Sequence, residues 1–336
     1  MGKRKGGEAA IGIDIGGTKS LFALFDERFE VVAQEKLPTH PVKGSTKAFT
    51  AMLRGAVEDL LRTAKRKRLQ VLAAGVGCAG DINVRKGVVR FSPNIRFLDD
   101  YPMRARLERI TGVKAFVCND VQAGLYGELK LGAARGARHA IGVFLGTGVG
   151  GALVIDGRLY QGASGAAGDI GNYLLHAATE PGARSREVLD TLASRPAIAG
   201  GAAALAANRR APELRARTGT DVTDIGANDI AEAIRRGDKA VGKLVRARAA
   251  VVGAALSNLV DFLNPDMVVL GGGLVEAMPE LFRREVRKGI DAHATPRAAK
   301  AVRVRVAQLH DHAVTAGAAR LALDMFQGGR PPMVLD

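Results

Sequence analysis

Asp14-Ile15-Gly16-Gly17-Thr18-Lys19 joins three groups suited to phosphate chemistry. The glycines let backbone N–H groups approach an anion, Thr18 offers a hydroxyl donor, and Asp14 can hold Mg²⁺ directly or through water. The β-branched run leading into it, from Ala10, recurs as Ala140-Ile141-Gly142-Val143-Phe144-Leu145-Gly146-Thr147-Gly148. Each copy reads as a buried strand ending in a tight turn. The second turn precedes no helix pattern and lacks a Lys-Ser/Thr ending, so it is neither a dinucleotide fingerprint nor a Walker loop. Either copy alone fits an ordinary glycine-rich hairpin. Together they point to two similar domains facing one phosphate-bearing ligand, with Asp14 the carboxylate that only the first copy carries.

Two further constellations follow. Asn119-Asp120 stands at the end of an apolar run and directly before a helical pattern. A carboxylate there can accept a hydroxyl proton while that hydroxyl attacks a phosphoryl group, or it can N-cap the helix; the two roles are compatible. Asn264-Pro265-Asp266, a short strand and then Gly271-Gly272-Gly273 would bring bare backbone close to a flat ligand such as a nucleobase or ribose. The alternative is a plain strand-to-helix turn.

The elements that must position these residues alternate between strand and helix. Residues 11–15, 21–25 and 31–36 read as a meander. A helix follows over 45–66, with Phe49, Met52, Leu53, Val57, Leu60 and Leu61 at helical spacing. Strands are predicted at 71–76 and 114–118, with helices near 103–111 and 121–129. The second half repeats the scheme with strands at 140–145, 151–155 and 158–160. Long alanine-rich helical stretches follow over 181–207 and 229–263, then strands at 267–270 and 302–306 and a closing helix over 314–326. This is an α/β pattern with a boundary near 125–140.

Composition narrows the function classes. Among 336 residues, hydrophobic content is 47%, charged content 25% and aromatic content 4%, with no Trp, which disfavours base-stacking platforms. Cys78 and Cys118 read as small buried hydrophobes in a reducing, cytoplasmic setting. No apolar run approaches membrane-spanning length, and the basic N-terminus has no signal-type apolar core. The net charge of +15 suits a polyanionic partner, but its scatter along the chain reads chiefly as solvated helix faces.

Taken in order, these segments resemble the ROK (repressor, open reading frame, kinase) family of the actin-like ATPase superfamily. Pro93-Asn94, Tyr160-Gln161-Gly162-Ala163-Ser164-Gly165, Gly168-Asp169-Ile170-Gly171 and Ala316-Gly317-Ala318 extend the match from about residue 11 to 319. The resemblance implies a two-lobed α/β, ribonuclease H-like fold with a duplicated core and an interlobe cleft. It divides the chain into a disordered basic N-terminus (1–9), a smaller lobe (10–130) and a larger lobe (131–312). A closing helix (313–326) packs back on the first lobe, and a loose tail (327–336) ends the chain.

The resemblance also implies a glucokinase-like sugar kinase using ATP and Mg²⁺ on a hexose, and often a homodimer. Asp120 would be the general base; Asn94, Asn119 and Gly80 would meet the sugar. Gly16, Gly17, Thr18, Lys19, Gly146, Thr147 and Gly148 would cradle the donor phosphates, Asp14 would position Mg²⁺, and Gly271, Gly272 and Gly273 would flank the adenosine. The departure is concentrated where the family has Gly-Glu-x-Gly-His and a zinc-binding cysteine cluster. Here Asp169, Asn172 and Asp190 replace Glu, His and Glu, and residues 179–187 hold no cysteine, so no zinc is expected. Asp169, Asn172 and Asp190 either still contact sugar across a shorter reach or have left it. Two other readings compete: a polyphosphate-using kinase, favoured by the basic charge, and a sugar-sensing repressor. Against the repressor, the thirteen residues ahead of Asp14 are too few for a helix-turn-helix, and no specific nucleic acid is expected.

Overall fold

The computed structural model describes residues 7–40, 45–177, 186–328 and 331–333. It is an α/β chain of two compact units, one drawn from Met1–Gly136, Leu153–Ala167 and Asp311–Asp336, the other from Ala137–Ala152 and Gly168–His310. The chain thus returns to the first unit twice.

The first unit is built on strands β1 (Glu8–Ile15), β2 (Lys19–Asp26), β3 (Val31–Pro38) and β4 (Gln70–Cys78), a small hairpin of β5 (Asp81–Asn83) and β6 (Val88–Phe91), and β7 (Ala115–Asn119). Its sheet runs β3-β2-β1-β4-β7. The meander β1–β2–β3 is antiparallel, whereas β1, β4 and β7 are parallel. β1 is buried almost throughout, so it reads as a continuous apolar run, while edge strand β3 alternates. Helix α1 (Thr46–Arg66) is N-capped by Ser45, whose hydroxyl accepts from the Ala48 N–H, and it buries Phe49, Leu53, Val57 and Leu60. Met52 and Leu61 lie half-buried at the edge of that stripe. Helices α2 (Met103–Thr111) and α3 (Asp120–Leu131) flank β7.

In the second unit β8 (Ala140–Leu145) turns into β9 (Val149–Ile155), which carries the chain across to the first unit, where its end pairs with β10 (Arg158–Tyr160). β11 (Leu174–Ala177) and β12 (Arg186–Val188) form a separate ribbon. Helices α4 (Leu189–Ala193), α5 (Arg195–Ala207), α6 (Pro212–Thr218), α7 (Ala227–Arg235) and α8 (Lys239–Leu263) precede β13 (Met267–Gly271). Helices α9 (Gly273–Ala277), α10 (Pro279–His293) and α11 (Pro296–Ala301) lead to β14 (Arg303–Val306). β13 pairs in parallel with β8 on one side and β14 on the other. α8 and α10 approach through facing glycines: a Cβ on Gly253 would sit 2.6 Å from the Val286 carbonyl oxygen. Helix α12 (Ala313–Phe326) belongs to the first unit and lies on β1, β4 and α3. Ala316 and Ala319 pack into the cluster of Ala10, Ala23 and Phe25.

Four sequence expectations are corrected. The helical stretch at 181–207 begins only at Leu189; Arg186–Val188 is strand, Ser194 is extended at ψ 158°, and residues 181–185 lie outside the described ones. The stretch at 229–263 breaks after α7, where Gly237 takes φ +114° and the buried Asp238 carboxylate accepts the Leu214 N–H at 2.8 Å. Alanine-rich composition favours helix across both breaks; a left-handed glycine and a side chain spent on another helix overrule it. The tail is tied down where described. Leu159 donates its N–H to Pro332 (2.9 Å), Arg158 Nε donates to the Pro331 carbonyl (2.7 Å), and Met333 is fully buried. At the other end, β1 starts at Glu8, inside the span predicted as disordered; residues 1–6 lie outside the described ones.

Candidate active site

Parallel pairing brings the first group of candidate residues to one sheet edge. Register places Asp14 beside Gly77, Ile15 beside Cys78, and Cys78 beside Asn119, so β1, β4 and β7 end together. Carboxyl-terminal strand edges are where open α/β sheets present chemistry. Gly80 follows β4 at φ +118°, and a Cβ there would run into the Phe91 carbonyl and come within 3.1 Å of the Ser92 side chain, so only glycine fits. Its own carbonyl accepts Asn119 Nδ2–H at 3.2 Å.

Asn119, not Asp120, is the cap of α3. Its Oδ1 accepts from the Val121 (2.9 Å) and Gln122 (3.4 Å) N–H groups, which settles which of the two residues caps. Asp120 is the first helical residue; its Oδ1 also accepts from Val121 N–H at 2.9 Å, and no hydrogen bond within 3.5 Å reaches its second oxygen among the described residues. Burial raises the Asp120 carboxyl above its ordinary range, partly offset by the backbone donors and Asn119.

The turn after β1 is braced from behind. Gly16 N–H donates to the Lys19 carbonyl (3.2 Å); Thr39 donates its hydroxyl to the Gly16 carbonyl (2.7 Å) and its N–H to the Thr18 carbonyl (3.0 Å). A Cβ on Gly17 would lie 3.0 Å from Asn94 Cβ, so the exposed Asn94 stands against this turn. His40 Nε2 lies 3.1 Å from the Asn94 carbonyl. Asp14 accepts no hydrogen bond among the described residues. Burial, then the charges of Asp120 and Asp311, push its carboxyl up to about 8, with Lys36 pulling the other way. Lys36 is paired to Asp311 at 2.9 Å. A buried carboxyl with no hydrogen-bond donor, facing the charges of Asp120 and Asp311, fits a divalent cation, which would displace its proton. No cluster of three or more metal-ligating side chains occurs among the described residues.

The second group gathers around Val149 in the second unit. Gly146-Thr147-Gly148 joins β8 to β9, with Gly146 N–H donating to the Gly148 carbonyl (2.9 Å) and Arg195 N–H donating to the Gly146 carbonyl (2.8 Å). Asp190 Oδ1 accepts the Val149 N–H at 2.6 Å and would lie 3.1 Å from a Cβ on Gly148. Gly171 lies against the Val149 carbonyl, and beside it Asn172 Nδ2 donates to Asp169 Oδ2 at 2.8 Å. Asp169 and Asn172 are exposed. The triple glycine is the strand-to-helix turn: β13 ends at Gly271 and α9 begins at Gly273. A Cβ on Gly271 would sit 2.7 Å from the Phe144 ring, and one on Gly272, at φ +85°, 2.6 Å from the Leu145 carbonyl oxygen. Only Gly273 faces open space. Of the segment matching the zinc cluster, residues 179–185 lie outside the described ones.

Sequence reading missed Thr39, Lys36, Asp311 and His40. None lies within a glycine motif, and their roles arise only from β3, the two residues after it and the turn ahead of α12 folding beside the β1–β2 hairpin.

Two sheet-centred units, each holding a strand–glycine turn–strand hairpin, define an actin-like ATPase-type fold. The chain belongs to the ROK family, whose model matches residues 10–325. It is 29% identical over 314 residues to a glucokinase of Halalkalibacterium halodurans, covering 91% of this chain and 92% of that one. It is 31% identical over 267 residues to a glucokinase of Streptomyces coelicolor, covering 79% and 81%. Among solved structures, a ROK family glucokinase from Streptomyces griseus in complex with glucose and AMPPNP superposes with a TM-score of 0.77. That match has 28% identity and covers 95% of this chain and 100% of that one.

Proposed function

We propose that this chain phosphorylates glucose or a closely related aldohexose with ATP, Asp120 acting as the general base. At the coarser level, family membership and glucokinase relatives make it a phosphotransferase of the hexokinase type. The observation that carries the finer reading is the Asn119–Asp120 pair at the joint edge of β1, β4 and β7, one carboxylate oxygen open and Asp14 nearby.

Asn119 holds the start of α3 against Gly80, so the base is fixed before substrate arrives. A raised carboxyl is a stronger proton acceptor than an ordinary aspartate. As the hexose oxygen attacks the γ-phosphorus, its proton passes to the open oxygen of Asp120 and the bond to the β-phosphate oxygen breaks, releasing ADP. Backbone N–H groups of Gly17, Thr18, Thr147 and Gly148 meet the donor phosphates, those of Gly16 and Gly146 being given to the Lys19 and Gly148 carbonyls, and Gly273 offers open backbone to the nucleoside. Asp14 would hold Mg²⁺, which supplies charge neutralisation on the transferring phosphoryl group. Asn94 and Asn119 take sugar hydroxyls. Asp169, Asn172 and the second oxygen of Asp190 are the sugar ligands we propose for the second unit; Asp190 gives its first oxygen to Val149 N–H. Reduced, buried Cys78 and Cys118 and the lack of any described helix long and apolar enough to cross a membrane support a cytoplasmic enzyme, which we take to be a homodimer that binds no specific nucleic acid.

A coupled assay of an aldohexose panel against ATP and against polyphosphate tests the reading. Hexose-dependent ADP release is expected, strongest with glucose. Turnover with polyphosphate alone would transfer the donor assignment, and no turnover with either donor would remove the catalytic reading.

A further inference from the structure

A cavity of about 540 Å³ lies within the first unit, between the β5–β6 hairpin and the turn following β10. That volume falls in the range of about 300–1,000 Å³ usual for small-molecule sites. None of the residues proposed above to meet sugar, metal or nucleotide lines it. Its polar walls are Asn83, Arg85, Arg90, Tyr160, Gln161 and Ser164, and no carboxylate lines it.

The walls are built in advance. From α2, Arg104 donates Nη1 to the Arg85 carbonyl (2.8 Å) and Nη2 to the Val84 carbonyl, so a guanidinium with no described carboxylate partner pins the hairpin from behind. The opposite wall is pinned by a buried amide pair: Gln161 Nε2 donates to Gln122 Oε1 at 3.0 Å, and Gln122 Nε2 donates to the Gly165 carbonyl at 3.4 Å. Arg85 forms no ion pair among the described residues. Arg90 reaches Asp81 only at 3.8 Å with both side chains half in water, a pairing that costs little to exchange.

We propose that this cavity is a second binding site for a sugar phosphomonoester, separate from the acceptor position at Asp120. Two guanidinium forks, with a third behind the wall, suit a phosphate dianion, which Arg engages bidentately. The space exceeds what a bare phosphate fills. The remainder is lined as a polyol requires: amide and hydroxyl groups of Asn83, Gln161 and Ser164, and the exposed ring of Tyr160 for a sugar C–H face. The site also has a route to the chemistry. β5 begins directly after Gly80, and Gln122 stands two residues beyond Asp120 on α3, so both walls are fastened to the elements that hold the base.

The choice of a hexose phosphate as ligand rests on the kinase reading; the cavity's preference for a phosphate ester does not. The test is titration calorimetry on the full chain without ATP, first with glucose, then with glucose 6-phosphate or inorganic phosphate at saturating glucose. The first titration reports on the acceptor position independently. Expected are one equivalent of glucose 6-phosphate bound with glucose present, at least tenfold weaker binding of inorganic phosphate, and at least tenfold weaker glucose 6-phosphate binding by an R85A/R90A double variant that keeps wild-type kcat and Tm. The proposal is overturned if glucose 6-phosphate does not bind beside glucose, if the double variant binds it equally well, or if inorganic phosphate binds as tightly as the ester.

Discussion

The two glycine hairpins share a phrase but use their carboxylates in opposite ways. At the β1–β2 turn the brace is neutral, the Thr39 hydroxyl on the Gly16 carbonyl, and Asp14 is left without a described hydrogen-bond donor in a negative neighbourhood. At the β8–β9 turn the brace is itself a carboxylate, Asp190, bound to the Val149 N–H at 2.6 Å. A charge satisfied by the backbone stabilises a loop; a charge left raised and unsatisfied is available for a cation or a proton. The sequence showed Asp14 as the only carboxylate of the two copies. The structure adds that the second turn has one as well, delivered from α4 forty-one residues later. On the proposed reading this is a division of labour: Asp14 and Asp120 of the first unit serve the phosphoryl transfer, and Asp190 of the second gives one oxygen to the shape of its turn.

The largest test of that division is Asp120→Asn. Turnover should fall about 10³-fold with the hexose KM changed by less than about threefold, because the side chain keeps its volume and its bond to Val121 while losing the proton acceptor. Steady-state kinetics reads both. Asp14→Asn comes next, with kcat/KM for Mg·ATP down about 10²-fold. The same change should raise the Tm of the metal-free protein at pH 8. The folded carboxyl, pushed up to about 8 against 3.8 as its ordinary value, holds its proton where the unfolded chain has lost it. Its contribution to stability is therefore complete below about pH 4 and disappears as pH rises through about 8. Melting the metal-free wild type and Asp14→Asn from pH 5 to pH 8.5 should show the larger decline in the wild type. Equal slopes would mean that Asp14 is hydrated and uncoupled, and the contrast between the hairpins would lose its first half.

Much of this arrangement was legible in the residues. Three meander strands, the stripe Phe49–Leu53–Val57–Leu60 and the strand-end position of Asn119-Asp120 follow from periodicity and turn chemistry that act locally. What was not legible depends on distant partners. Ser194 and Gly237 interrupt alanine-rich runs beside Asp190, claimed by the Val149 N–H, and Asp238, claimed by the start of α6, and the local residue pattern does not contain those demands. The tail after Gln327 has the composition of a loose end, yet Arg158 and the buried Met333 fasten it. The capping role offered to Asp120 went to Asn119 because Asn119 is the extended residue (φ −66°, ψ 146°) ahead of the first helical one and reaches both the Val121 and Gln122 N–H groups. The triple glycine shows a motif that mixes causes. Gly271 and Gly272 are required by Phe144 and Leu145, and only Gly273 remains open for a ligand.

The second half of the contrast is tested by Asp190→Ala. Loss of a charged acceptor on the Val149 N–H should cost about 1–3 kcal/mol of stability and loosen the 146–148 turn, raising the ATP KM several-fold while kcat falls far less than in Asp14→Asn. Denaturant melts and nucleotide titrations separate the two effects. A collapse of kcat at unchanged stability would place Asp190 with the reacting groups and erase the distinction.

The smallest effect is expected from Thr39→Val, which removes the neutral brace of the first turn. The isosteric methyl keeps the packing but deletes the donor to Gly16 and the 2.8 Å contact with the Ser20 hydroxyl, both in buried surroundings. A loss of about 1 kcal/mol follows, with little change in the ATP KM, since the Thr39 N–H still holds the Thr18 carbonyl. The two braces therefore differ in kind. Removing the neutral one weakens a turn that a second hydrogen bond keeps in place, whereas removing the charged one leaves the Val149 N–H without its acceptor at the point where Gly148 ends and β9 begins.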